Sequence, residues 1–169
     1  GRPRGGAREA RATGERRAGV PEGFDVTFVD HDGPPGPGAQ RNVGWRRARA
    51  PLVAFTDDDC RPAPGWLEGV LAAAGGDDVF VQGRTEPDPE EEHLLLGLAR
   101  TVHVDRPNDW YATCNIAYPR ALLEELGGFD DDFRFSAEDA DLGLRARAAG
   151  ADRVFADAAL VYHAVLPET

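Results

Sequence analysis

The sequence predicts an α/β sandwich built on a mainly parallel sheet. Three observations carry that expectation. Short apolar runs alternate with segments of helical period, Gly or Pro marks most junctions, and 169 residues with 41% apolar content can bury one core but not two. One folded domain over residues 23–169 is expected. Residues 1–22 are mostly Arg, Gly and Ala with almost no large apolar side chain. Burial there cannot offset the entropy of ordering, so a disordered or loosely helical basic lead-in is expected.

Phe24 to Val29 alternates large apolar residues with Asp25 and Thr27, a strand pattern, and Gly33 to Gly38 breaks it with three prolines. A helix follows over about Ala39 to Arg49. Leu52 to Thr56 is a short apolar run ending in three aspartates, the form of a buried strand that delivers charge at its carboxyl end. Pro64 suits the first position of a helix that carries Trp66, Leu67, Val70 and Leu71 at helical spacing. Val79 to Gln82 reads as a strand, Glu86 to Glu92 as a Pro-rich acidic turn and His93 to Val102 as an apolar helix. Ala112 to Tyr118 reads as extended, and Arg120 to Leu126 as a short helix stopped by Gly127-Gly128. Ser136, with Asp139 three residues on, has the form of a capping box opening a helix to about Ala149, and Gly150 ends it. Val154-Phe155 and Leu160 to Tyr162 are brief closing strands.

A formal net charge of -11 argues against nucleic acid as a partner, because phosphate backbones are bound by clustered Lys and Arg. No run of about 18 apolar residues exists, and the start has no short apolar signal core, so no transmembrane segment is expected and a cytoplasmic setting is. The basic lead-in reads as a solvated tail; the alternative is docking on the acidic body or on anionic lipid heads, which would bring peripheral membrane association. Cys60 and Cys114 lack paired zinc-site spacing and are too few for a disulfide scaffold; both read as free thiols.

Asp57, Asp58 and Asp59 repel one another at a strand end, and a divalent cation that prefers oxygen ligands, Mg2+ or Mn2+, relieves that repulsion. Ligands in open α/β sheets bind outside the carboxyl ends of strands, where a metal-bound diphosphate would meet Asp57 and Asp59. A solvated acidic turn has the same composition. Glu138 and Asp139 open a helix, where the dipole favours carboxylates; alternatively, one of them is a general base for an attacking hydroxyl. His163 follows an apolar run near the chain end and is either a satisfied polar residue or a third metal ligand. His31, His93 and His103 have weaker claims.

The order and spacing of several segments resemble one family. These are Val53 to Asp59, Pro64-Gly65-Trp66-Leu67, Cys114-Asn115-Ile116-Ala117, the run LLEELGGFD over Leu122 to Asp130, and Glu138-Asp139-Ala140-Asp141-Leu142 with Arg145. Together they resemble the inverting glycosyltransferases of family 2, which have the GT-A fold, and Gly38 to Gly44 looks like that family's small-residue helix before the metal strand. The resemblance covers about residues 24–165. It implies a GT-A-like, Rossmann-like three-layer sandwich. It also implies that Asp57 and Asp59 are the acidic positions of a DxD motif holding the metal and the nucleotide diphosphate, with Asp58 the variable middle residue. By the same resemblance Arg41 and Asn42 lie toward the donor, and Asp139 is the base. Glu138 positions the acceptor, Trp110 and Asn115 approach donor sugar and acceptor, and His163 completes the metal site.

The implied reaction moves a sugar from a UDP- or GDP-linked donor to a hydroxyl of a saccharide or lipid-linked acceptor. A single displacement would invert the anomeric centre, and a lipid carrier would place the domain at the inner face of a membrane. The family begins with a strand, helix and strand that hold the nucleotide base. Val29 to Gly33 resembles that acidic turn, yet Asp57 follows Asp30 by only 27 residues (57 minus 30), too few for the intervening strand. The sequence is therefore read as lacking that first unit. One competing reading is a catalytically silent remnant that binds metal, nucleotide or a partner chain. Another is a Mg2+-dependent phosphatase with Asp57 as nucleophile and Asp59 as acid, which expects a small hydroxyl or β-branched residue where Arg61 stands.

Overall fold

The computed structural model describes residues 9–10 and 25–167. The lead-in expected over residues 1–22 thus lies outside the described residues except for Glu9 and Ala10, as does Phe24. In chain order the elements are β1 (Glu9–Ala10), β2 (Phe28–Val29), α1 (Pro37–Trp45), β3 (Leu52–Phe55), β4 (Cys60–Pro62), α2 (Trp66–Ala73) and β5 (Val79–Pro87). Then follow β6 (Ile116–Pro119), α3 (Arg120–Leu126), α4 (Glu138–Ala148) and β7 (Asp152–His163).

Strands β3, β6, β5, β7 and β4 form one sheet in that order. Its residues alternate between two apolar clusters, as a pleated strand covered on both faces requires. Val53, Phe55, Phe80, Ile116 and Tyr118 point into one cluster with Trp45, Leu122, Leu123, Phe129 and Leu142 from α1, α3, α4 and the turn between the last two. Val81, Ala117 and Ala156 point the other way, onto Val70 and Trp66 of α2. Phe80 stacks on Tyr118 at 5.0 Å, and Phe55 meets Phe129 edge-on at 5.3 Å, so aromatic contacts tie the sheet to the first helical layer. This is the expected three-layer α/β sandwich.

The sheet is mixed rather than mainly parallel. Among the described residues only β5 and β7 run parallel; β3–β6, β5–β6 and β4–β7 are antiparallel. A parallel return needs a crossover of a dozen or more residues, usually helical. The helix expected over His93 to Val102 is absent: a single 3-10 turn, Glu92–Leu94, stands there, and Gly97 has φ 62. Leu96 and Leu98 are 75% and 74% exposed, so the leucine run has no packed face to hold a helix. The segment is pinned instead by backbone bonds between Arg100 and Leu166 and between Thr85 and Val104. Chain direction is thereby reversed between β5 and β6.

Three further differences concern strands. The run Phe24 to Val29 contributes only β2, which pairs with β1 outside the main sheet. The two brief closing strands are one strand, β7, whose pairing with β5 jumps from Gly83–Ala156 to Arg84–Leu160 across an irregularity. Strand β4 was not expected at all. Gly127, with φ 76, ends α3 as the sequence predicts.

Candidate functional site

Pro37 sits in the first turn of α1, and the small residues behind it let α1 approach α4 closely. A Cβ on Gly38 would lie 3.2 Å from both Glu138 Cγ and Phe129 Cβ. Arg41, one turn further on, therefore reaches two acidic groups 81 residues apart in sequence (138 minus 57). Its guanidinium donates to Asp57 Oδ1 and to Glu138 Oε1, each at 2.7 Å. The start of α1 and the end of β3 enclose an open cleft of about 560 Å3, lined by Pro37, Gln40, Arg41 and Thr56 to Asp59. That volume lies within the range of about 300–1,000 Å3 usual for small-molecule sites.

The start of α4 differs from the expected capping box. Its N-cap is Ala137, in a left-handed conformation at φ 76, and no side chain among the described residues caps it. Such a conformation at a non-glycine residue costs about 1–3 kcal/mol and persists where the surroundings over-determine it. Here the turn sends Glu138 inward, where it is 4% exposed; Oε2 has no hydrogen-bond partner among the described residues. Asp139 is half-buried, and its Oδ1 accepts the Ala140 N–H at 2.9 Å. Burial first, and then the adjacent Glu138, raises the Asp139 carboxyl above the ordinary carboxylate range, against the pull of the Ala140 N–H and Arg41. The hydroxyl of Tyr118 is buried without a partner among the described residues, and burial together with the Asp139 charge pushes its pKa up.

Strand β4 supplies what sequence reasoning missed. It pairs Cys60 directly with His163. His163 Nε2 lies 3.7 Å from Asp59 Oδ2, and Cys60 Sγ lies 3.7 Å from Asp59 Oδ1. The ligand atoms of Asp59, Cys60 and His163 all lie within 4.8 Å of one another. His163 Nδ1 is 2.8 Å from the Ala164 carbonyl, which accepts only from an N–H, so in the neutral imidazole the lone pair is on Nε2, the nitrogen nearer Asp59. A divalent cation therefore fits Asp59 and His163. Asp57, expected as a ligand beside them, is held by Arg41 outside this group of three. Cys60 and Cys114 are free thiols, as expected, and influence each other: the Cys114 thiol holds that of Cys60 below its ordinary pKa, while Cys60 and burial raise that of Cys114. A three-residue strand containing Pro62 carries almost no sequence signal, which is why Cys60 was not singled out as a site residue.

Two residues expected to touch donor or acceptor serve the framework instead. Asn42 is 1% exposed; its amide donates to Phe129 O and Asp131 Oδ1 and accepts from Phe129 N and Trp45 Nε1. It clamps the Gly127-Gly128-Phe129 turn, and a Cβ on Gly128 would come within 2.4 Å of its Oδ1. Arg145 braces the same turn by donating to Leu126 O and Gly128 O. Asn115 is 2% exposed and donates to Arg84 O at 2.6 Å and Ala159 O at 2.7 Å, while accepting from Trp66 Nε1 at 2.9 Å. It spans the irregularity between β5 and β7 and has no donor left for a ligand. Asn115→Ala is expected to lower the unfolding free energy by about 2–4 kcal/mol, since each orphaned buried group costs about 1–3 kcal/mol; a urea midpoint measurement checks this.

Asp58 is exposed on the cleft rim, and Trp110 is 76% exposed on the loop before Tyr111. His31 bonds the Pro34 carbonyl at 2.8 Å, and His93 and His103 are exposed.

Comparison with known proteins bears on this arrangement. The family model described as "Glycosyl transferase family 2" matches residues 10–139. The pre-mycofactocin glycosyltransferase of Mycobacterium tuberculosis is 30% identical over 152 residues, covering 82% of this chain and 32% of the relative. The validoxylamine A glucosyltransferase of Streptomyces hygroscopicus subsp. jinggangensis is 29% identical over 146 residues, covering 65% of this chain and 35% of the relative. The chain thus spans about a third of the length of these curated relatives. In fold it is similar to the crystal structure of GalNAc-T7 with UDP, GalNAc and Mn2+ (TM-score 0.62, 14% identity, 79% of this chain and 31% of that one). It is also similar to S. aureus TarS 1-349 in complex with UDP (TM-score 0.56, 23% identity, 77% of this chain and 40% of that one).

Proposed function

The chain belongs to glycosyl transferase family 2, and on that premise we propose that it transfers a sugar from a nucleotide-sugar donor to an acceptor hydroxyl with inversion at the anomeric carbon. The observation that carries this reading is the Arg41 clasp. It ties Asp57 of the cleft to Glu138, which presents a buried, unpartnered Oε2 one residue before Asp139. Donor and acceptor groups are thereby held in one register, and two substrates brought together in fixed orientation react far faster than free ones.

Asp139 is the base: its raised pKa keeps it a competent proton acceptor for a hydroxyl. Glu138 Oε2 accepts a hydrogen bond from the acceptor and orients it. Asp57 and Asp58 bind the nucleotide side of the donor. Asp59 and His163 would hold a divalent cation, Mg2+ or Mn2+, whose charge offsets that developing on the leaving diphosphate. UDP in both related structures, and Mn2+ in one, supports a UDP-linked donor and Mn2+ as the first choices to test. The acceptor is a saccharide or lipid-linked hydroxyl. No helix among the described residues is long and apolar enough to cross a membrane.

Calorimetric titration of the folded chain with UDP and with GDP, each with and without Mn2+, tests the proposal. Metal-dependent binding of one nucleotide, weakened at least about tenfold in Asp59→Ala, is the expected result. A folded chain that binds neither nucleotide would instead be a catalytically silent relative.

A further inference from the structure

Strand β4 gives the cation site a ligand that the acidic triplet alone does not. Cys60 and His163 are direct antiparallel partners, and directly opposed residues project to the same side of a sheet. The Ala164 N–H donates to Asp59 O at 2.9 Å, which extends the pairing by one step and fixes the backbone that carries Asp59. Cys60 Sγ lies 3.7 Å from one carboxylate oxygen of Asp59 and His163 Nε2 lies 3.7 Å from the other, and with a single donor atom taken from each residue all separations are within 4.8 Å. Bonds of about 2.0–2.3 Å in a tetrahedral site give edges of roughly 3.3–3.8 Å, so three converging donors need only small side-chain movements to share one ion. His163 is 7% exposed, Cys60 half-buried and Asp59 exposed, which leaves the open side toward solvent and the cleft. Three protein ligands with one open position is the arrangement of a zinc-type site that binds a further oxygen.

We propose that Asp59, Cys60 and His163 form a mixed oxygen, sulfur and nitrogen site for one divalent transition-metal ion, in which the Cys60 sulfur makes the chain prefer zinc-like cations to Mg2+. The inference rests on the reading that Asp59 and His163 hold the donor's cation, and adds that Cys60 sets which cation is held. Binding forms a metal–sulfur bond as the thiol proton leaves to solvent. Soft thiolate ligands select Zn2+ and Co2+, whereas an all-oxygen site suits Mg2+ and Mn2+. Zn2+ then competes with Mn2+ for the position that serves the diphosphate.

The test is titration of the full chain with Co2+ in the absence of oxygen, followed by absorption spectroscopy. A thiolate-to-cobalt charge-transfer band in the near ultraviolet is expected, displaced by Zn2+. Cys60→Ser is expected to abolish the band and lower the ratio of Zn2+ to Mn2+ affinity about 100-fold, whereas Cys114→Ser keeps the band. In the unsubstituted chain, stoichiometric Zn2+ is expected to protect Cys60 from alkylation, read by peptide mass spectrometry. Absence of the band, its survival in Cys60→Ser, or unprotected Cys60 overturns the inference even if Mn2+-dependent UDP binding is found. A cobalt–thiolate band without any nucleotide binding supports the site and counts against the transferase reading alone.

Discussion

Asp139→Asn is expected to reduce turnover about 100- to 10,000-fold, the usual contribution of a positioned general base, with little change in donor affinity. The same substitution is expected to make the fold more stable at neutral pH. Burial raises the Asp139 carboxyl above its ordinary pKa, so the folded chain holds this proton more tightly than the unfolded chain does. The contribution of this group to stability is greatest below the ordinary carboxylate pKa and is lost as pH rises through the raised value. At neutral pH the ionised side chain therefore opposes folding, and asparagine removes that opposition while still accepting the Ala140 N–H. Thermal melts of the two proteins should diverge at neutral pH and converge in acid. If the proposed transfer holds, the rising limb of the unsubstituted chain's pH–rate profile should lie above the ordinary carboxylate pKa. An Asp139→Asn protein with unchanged turnover would remove the base from the mechanism.

Arg41→Ala is the substitution expected to damage the fold most. Arg41 is 18% exposed at its side chain and Glu138 5%, so removing the guanidinium leaves a carboxylate buried with neither oxygen partnered. Breaking a buried pair from one side costs about 3–5 kcal/mol. For a chain of this size that corresponds to a melting-temperature fall of about 6–20 °C. Glu138→Gln retains an acceptor for Arg41 and should cost far less. The double substitution Arg41→Ala with Glu138→Gln should recover much of the loss, because the orphaned charge is gone. If the two effects simply add in that double-mutant cycle, the clasp has no energetic role.

The acidic residues of the candidate site were legible because they are marked by local signals. Asp57 to Asp59 end an apolar run, Gly127-Gly128 stops a helix, and Glu138-Asp139 opens one; each is fixed by propensity and period within a few residues. The small residues of α1 were also legible, but what they permit was not: Arg41 reaching Asp57 and Glu138 depends on two helices approaching closely. Asn42 and Asn115 show the same limit. A polar residue in a motif reads as a ligand contact, and only packing reveals that its hydrogen bonds are spent on Phe129, Arg84 and Ala159.

By itself, then, the sequence determined the α/β class, the position of most helices and strands, and the carboxylates available for chemistry. Tertiary structure alone decided the mixed direction of the sheet, the single long β7, the clasp made by Arg41, and the placing of Cys60 beside Asp59 and His163 across more than a hundred residues. The physical reason is that periodicity and capping act over one or two turns of chain. Strand direction and cross-strand partners are instead set by which distant backbone groups pair, and that pairing leaves no mark on the residues beside it in sequence.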